Sequence, residues 1–143
     1  MIASSPGSLE SIHVVYCLTS SGGDLYEAMT RVSLATLRLT NPSARVTIAC
    51  DQQTHQALQV SSSQLFHEAD ALCDFSAPDG PPTYRNRYVK TQLGRLIDGP
   101  FLFLDSDTVV RKPLAPLLVL ATMGSLDPRK AQKMQGFFDP QAF

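Results

Sequence analysis

Ile12-His13-Val14-Val15-Tyr16-Cys17-Leu18 runs into Thr19-Ser20-Ser21-Gly22-Gly23-Asp24, and Arg45-Val46-Thr47-Ile48-Ala49-Cys50 follows further along the chain. The first and last of these runs are apolar and β-branched, the composition of strands. The serine- and glycine-rich segment is a turn, and it ends on Asp24, a residue type whose side chain caps helix N-termini. Between Asp24 and the second strand, Leu25, Met29, Val32, Ala35 and Leu39 recur at helical spacing until Asn41-Pro42 interrupts them. That stripe is the face expected to pack on the core. Strand, helix and strand in this order form a βαβ unit with a right-handed crossover and parallel strands. The expected fold class is α/β, a mostly parallel sheet with flanking helices.

Working outward, Asp51 closes the second strand, and Gln52 to Val60 reads as a short helix before Ser61-Ser62-Ser63. Ala71-Leu72-Cys73-Asp74-Phe75 reads as a third strand. Ser76 to Thr83 contains three prolines and a glycine and reads as a loop. Tyr84 to Ile97 reads as a helix, with Val89, Leu93, Leu96 and Ile97 along one face, and Asp98-Gly99-Pro100 ends it. Phe101-Leu102-Phe103-Leu104 is an uninterrupted apolar run, as expected of a strand buried on both faces, and it leads directly into Asp105-Ser106-Asp107. Pro113 to Ala121 reads as a short apolar helix, and no internal repeat is visible.

Composition narrows the function. The chain has 143 residues, 43% of them apolar, with 12 Lys+Arg against 13 Asp+Glu and a net charge of −1. A single soluble globular domain over residues 1–143 is expected. The balanced charge excludes the broad basic footprint of a nucleic-acid binder, and no apolar run has the length of a membrane span. Cys17, Cys50 and Cys73 are odd in number and widely spaced, with no Cys-X-X-Cys pair, and His13, His55 and His67 stand alone, so a zinc cage is not expected. Met1 to Glu10 lacks the basic and apolar regions of a signal peptide. A reducing compartment, the cytoplasm, is the expected location.

The chemistry concentrates at two places. Asp105 and Asp107, at i and i+2 where an extended strand ends, would project to one side and share a cation at the carboxyl end of a buried strand, where open α/β sheets bind ligands. Hard divalent ions, Mn²⁺ or Mg²⁺, take one or two carboxylates and complete their shell with water and substrate phosphate. The helix before that strand carries Arg85, Arg87, Lys90 and Arg95; Arg87 and Lys90 share a face and could reach one anion. Lys90 lies close to the core stripe. Gly22-Gly23 lacks both the dinucleotide and the Walker spacing, so it does not read as a phosphate loop.

Three blocks together resemble the GT-A fold nucleotide-sugar glycosyltransferases, in particular the glycogenin-like retaining group. They are Val14 to Thr19 with Tyr26 and Val32-Ser33-Leu34-Ala35-Thr36-Leu37, then Tyr88-Val89-Lys90-Thr91-Gln92-Leu93, then Phe101 to Val110. The resemblance spans about residues 12 to 115 and implies a Rossmann-like nucleotide-binding half. It implies that Asp105 and Asp107 bind the metal bridging the donor diphosphate, with Asp105 or the Ser106 backbone near the ribose. Leu18, Thr19 and Tyr26 would border the base, and Lys90 would be the catalytic cation on the diphosphate or the transferred sugar. The partners implied are a nucleotide-sugar donor and an unknown acceptor. The family carries a further metal ligand, commonly histidine, well after the Asp-X-Asp strand, and the remainder after Asp107 contains none. An incomplete domain is therefore implied, lacking its acceptor half and oligomerising through exposed apolar surface. Two alternatives stay open: a non-catalytic nucleotide-binding domain, and a haloacid-dehalogenase-like phosphatase, whose first motif Phe101 to Val110 also resembles, with Asp105 as nucleophile and Asp107 as acid/base.

Overall fold

A computed structural model describes residues 12–117. The elements are β1 (His13–Leu18), α1 (Leu25–Thr40), β2 (Arg45–Asp51), α2 (Gln52–Val60), α3 (Leu65–Glu68), β3 (Ala71–Phe75), α4 (Pro82–Leu96) and β4 (Leu102–Leu104). The strands form one sheet in the order β3-β2-β1-β4, and every pairing is parallel. Val15 lies opposite Thr47 on one side and Phe103 on the other. The fold is α/β and Rossmann-like, as expected. Contacts divide the chain into Met1–Lys112, which holds the sheet, and Pro113–Phe143, of which the described part contains a helical turn at residues 115–117.

Right-handed crossovers from β1 to β2 to β3, followed by a reverse step from β3 to β4, place α4 on the opposite sheet face from α1. Alternate residues of β1 record this. Tyr16 reaches Ser33 of α1, Oη to Oγ 2.8 Å. Val15 and Cys17 instead join Ala49, Val89 and Leu93 in a cluster under α4. With both faces covered, β1 is buried from Val14 to Leu18, which explains its unbroken apolar sequence.

The packed face of α1 differs from the expected stripe. Glu27, Thr30, Ser33, Leu34 and Leu37 are buried, whereas Leu25, Val32 and Leu39 are 68%, 57% and 84% exposed. Polar contacts at the helix start and centre orient it. Asp24 accepts from the Glu27 amide at 3.0 Å, and the Glu27 carboxylate accepts from the Gly23 amide at 2.5 Å and from the Ser63 hydroxyl. The small hydroxyl residues let the helix approach the sheet, and their oxygens are satisfied: Thr30 donates to the Tyr26 carbonyl at 2.8 Å.

Other boundaries shift modestly. α4 begins at Pro82, ahead of Tyr84, because proline suits a first helical turn where its missing N–H costs nothing. β4 shortens to Leu102–Leu104, and the four-residue α3 was not anticipated from sequence. Gly22 adopts φ +84°, and a Cβ there would meet the Ala57 carbonyl oxygen at 2.7 Å, so this turn requires glycine. Among the described residues no helix is long and apolar enough to cross a membrane. The expectations for Met1 to Glu10, and for the apolar helix beyond residue 117, lie outside the described residues.

Candidate functional site at the carboxyl edge of β1 and β4

Strand order reverses between β1 and β4, and the carboxyl ends of these neighbours are where an open α/β sheet offers a ligand crevice. Side chains from β1, α4 and the segment after β4 meet there. Lys90 Nζ lies 3.2 Å from Asp105 Oδ1 and 5.4 Å from the centre of the Phe103 ring. Asn86 donates to Thr19 Oγ1 at 3.1 Å and lies 3.8 Å from Cys17 Sγ. The Ser106 hydroxyl donates to the Cys17 carbonyl at 3.4 Å. The structure thus brings Thr19, Lys90, Asp105 and Ser106 to one edge.

The two aspartates do not continue an extended strand. The Thr108 amide and hydroxyl both donate to the Asp105 carbonyl, at 3.2 and 2.7 Å, and close a turn over Ser106 and Asp107. Thr108 also hydrogen-bonds Ser33 at 3.1 Å, and Thr36 Oγ1 accepts from the Val110 amide at 2.9 Å, so α1 fixes the turn. Strand alternation is therefore not what orients Asp105 and Asp107. Both carboxylates are exposed, and Asp107 has no side-chain partner among the described residues.

The donor set is all oxygen, which suits a hard divalent ion. Among the described residues no group of three or more His, Cys, Asp and Glu side chains comes together as a metal site. Two carboxylates, one of them already paired with Lys90, would hold such an ion only with water and other oxygens completing its shell.

The remaining candidates are dispersed. Leu18 is buried in the core, so only its backbone reaches the edge. Tyr26 and Arg87 are exposed, and neither side chain has a partner among the described residues. The loop after β1 spends its amides internally: Ser21 on Asp24 Oδ2 at 3.0 Å, Gly22 on Ser20 Oγ at 3.0 Å and Gly23 on Glu27. The Ser21, Gly22 and Gly23 amides are therefore already engaged within the loop and the first turn of α1.

Two features at this edge escaped the sequence reading. Asn86 joins α4 to Thr19, and an isolated asparagine in a helix carries no signal of that. Arg85, only 7% exposed, forms an ion pair with Asp51, itself 3% exposed, and donates from Nε to the Gly80 carbonyl at 3.2 Å. Here a signal existed: Arg85, Val89 and Leu93 are spaced i, i+4 and i+8, which puts the arginine on the apolar stripe. Burial alone would raise the Asp51 pKa, but hydrogen bonds from Thr54 and Arg85 outweigh it and hold the carboxyl below its usual range. Burial pushes the Cys17 thiol up to about 12, against the opposing pull of Lys90, so this sulfur is no nucleophile at neutral pH.

No protein-family model matches the chain, and none of the curated proteins matches it.

Proposed function

We propose that this chain is the nucleotide-binding half of a metal-dependent glycosyltransferase, acting on a nucleotide-diphospho-sugar and an unknown acceptor. The observation that carries the reading is the pairing of Lys90 with Asp105 at the β1–β4 edge, two residues before Asp107, whose carboxylate has no partner among the described residues. A divalent cation carrying a diphosphate takes one or two carboxylates, with a further cation for the phosphate oxygens, and residue types of that chemistry, Asp105, Asp107 and Lys90, lie along this edge.

In this reading Asp105 and Asp107 hold Mn²⁺ or Mg²⁺, which offsets the charge that accumulates on a departing nucleoside diphosphate. Lys90 donates to the diphosphate from a stem rooted in α4. Ser106, tethered to the Cys17 carbonyl, fixes the turn, and Thr19, tied to Asn86, borders the base. The exposed Tyr26 and Arg87 are the outer candidates for contact with the nucleotide. The cytoplasm is the location this reading favours, since Cys17, Cys50 and Cys73 are all free thiols.

Calorimetric titration of UDP with Mn²⁺ tests the reading. The expected result is binding that requires the metal and weakens by more than about tenfold in Asp105→Asn and Asp107→Asn, since loss of a group that merely orients a metal ligand already costs about 10–100-fold and these are the ligands themselves. Equal, metal-independent binding in those variants would remove the proposed site.

A further inference from the structure

The Lys90–Asp105 pair occupies the carboxylate that the reading above assigns to the metal, and the inference drawn here rests on that reading. We propose that Lys90 is the resident counter-ion of the metal-free site and competes with the divalent cation for Asp105.

Three observations support it. The ammonium lies 3.2 Å from Asp105 Oδ1, within direct contact of the oxygen that would bind metal. It is held there from a second side, 5.4 Å over the Phe103 ring, whose face attracts a cation. The helix beneath it is fixed, because Arg85 is ion-paired to Asp51, Asn86 is bonded to Thr19, and Val89 and Leu93 are packed in the core. Lys90 therefore cannot withdraw by moving α4. Only its flexible side chain can swing, and a lysine stem allows this at little cost.

Asp107, lacking a side-chain partner among the described residues, leaves one carboxylate open to an incoming ion while Asp105 is still occupied. Displacement of the ammonium then releases a positive charge beside the cation, where diphosphate oxygens would accept it. Two functions of one residue follow, with opposite signs: Lys90 lowers affinity for the metal alone and raises affinity for the diphosphate.

The test is a titration of the intact protein with Mn²⁺ alone, read by the electron-spin-resonance signal of free Mn²⁺ and needing no turnover. Lys90→Met keeps the stem and removes the charge, and both partners are exposed enough that folding is not at stake, which a thermal melt checks. Mn²⁺ affinity is expected to rise roughly two- to fivefold in Lys90→Met, the range set by an exposed ion pair. In an Asp105→Asn background the same substitution should change nothing. Mn²⁺ binding by Lys90→Met where the unaltered protein binds none would support the proposal still more directly. If the unaltered protein binds Mn²⁺ and Lys90→Met binds it equally or more weakly, the competition is overturned and the metal site stands. If neither binds Mn²⁺, with or without UDP, both the competition and the glycosyltransferase reading fall.

Discussion

Arg85 and Lys90 lie on the same helix and each pairs with an aspartate at a strand end, but solvent separates their roles. The Lys90–Asp105 pair is 39% and 56% exposed in its side chains, so it is screened, worth little to stability and free to exchange partners. The Arg85–Asp51 pair is out of water, and removing one member leaves the other charged and uncompensated. Arg85→Met is expected to cost about 3–5 kcal/mol in urea denaturation, and the Arg85→Met, Asp51→Asn double variant markedly less, since replacing both charges removes that penalty. The pair also sets a pH limit. Asp51, Asp24 and Asp70 all have depressed pKa values, in each case because hydrogen bonds outweigh the opposing effect of burial. A depressed carboxyl contributes stability above its unfolded value, near 4, and that stability is lost as pH falls through the folded value. The acid limb of the stability curve should therefore flatten in Asp51→Asn, which keeps a side chain able to cap α2. Thiols give an independent check. Burial raises the pKa of Cys17 to about 12 and that of Cys50 further, while Cys73 is half-buried on β3. A thiol-specific disulfide reagent should label Cys73 first in the native protein, and all three cysteines only after denaturation; rapid native labelling of Cys17 would contradict its burial.

At the scale of elements, α1 shows what helical spacing alone leaves undecided. It carries two apolar rows, Leu25, Met29, Val32, Ala35 and Leu39 on one side and Leu34 with Leu37 on the other, and the longer row is exposed except at the half-buried Met29. Hydropathy favours the longer row. The buried side carries Glu27, Thr30 and Ser33, whose polar atoms are all satisfied there: Glu27 by Ser63, Thr30 by the Tyr26 carbonyl of its own helix and Ser33 by Tyr16 of β1. Substitutions should separate the rows: Leu37→Ala is expected to cost about 2–5 kcal/mol, whereas Leu39→Lys should stay within about 0.5 kcal/mol, both read from chemical denaturation. The opposite ranking would return the original stripe to the core. Strands were easier to read than helix faces. β3 and α2 fall on the residues expected, because a short apolar run between polar breaks and a helix capped by Asp51 each leave a local signature, even though β3 is an edge strand and only half-buried. α3 leaves none, and the start of α4 at Pro82 leaves an ambiguous one, since proline suits a loop as well as a first helical turn.

Over the whole molecule, the parallel class followed from one βαβ unit, but the strand order did not, since nothing local states which edge of β1 the last strand joins. The convergence of Lys90 on Asp105 was only half legible: helical spacing put Lys90 near the core stripe, and the partner emerges only when β4 is laid beside β1. The link from Asn86 to Thr19 is likewise long-range, made only when α4 packs against the end of β1, whereas the turn closed by Thr108 on the Asp105 carbonyl is local. The position of β4 also bears on how the polypeptide emerges from the ribosome. The first three strands can zip together as soon as they leave the exit tunnel, yet one flank of β1 then waits, unpaired, for residues 102–104. Until α4 follows, Val15, Cys17 and Ala49 also lack their cover. A nascent chain at that stage displays a bare strand edge and an oily sheet face, the surface that holdase chaperones grip.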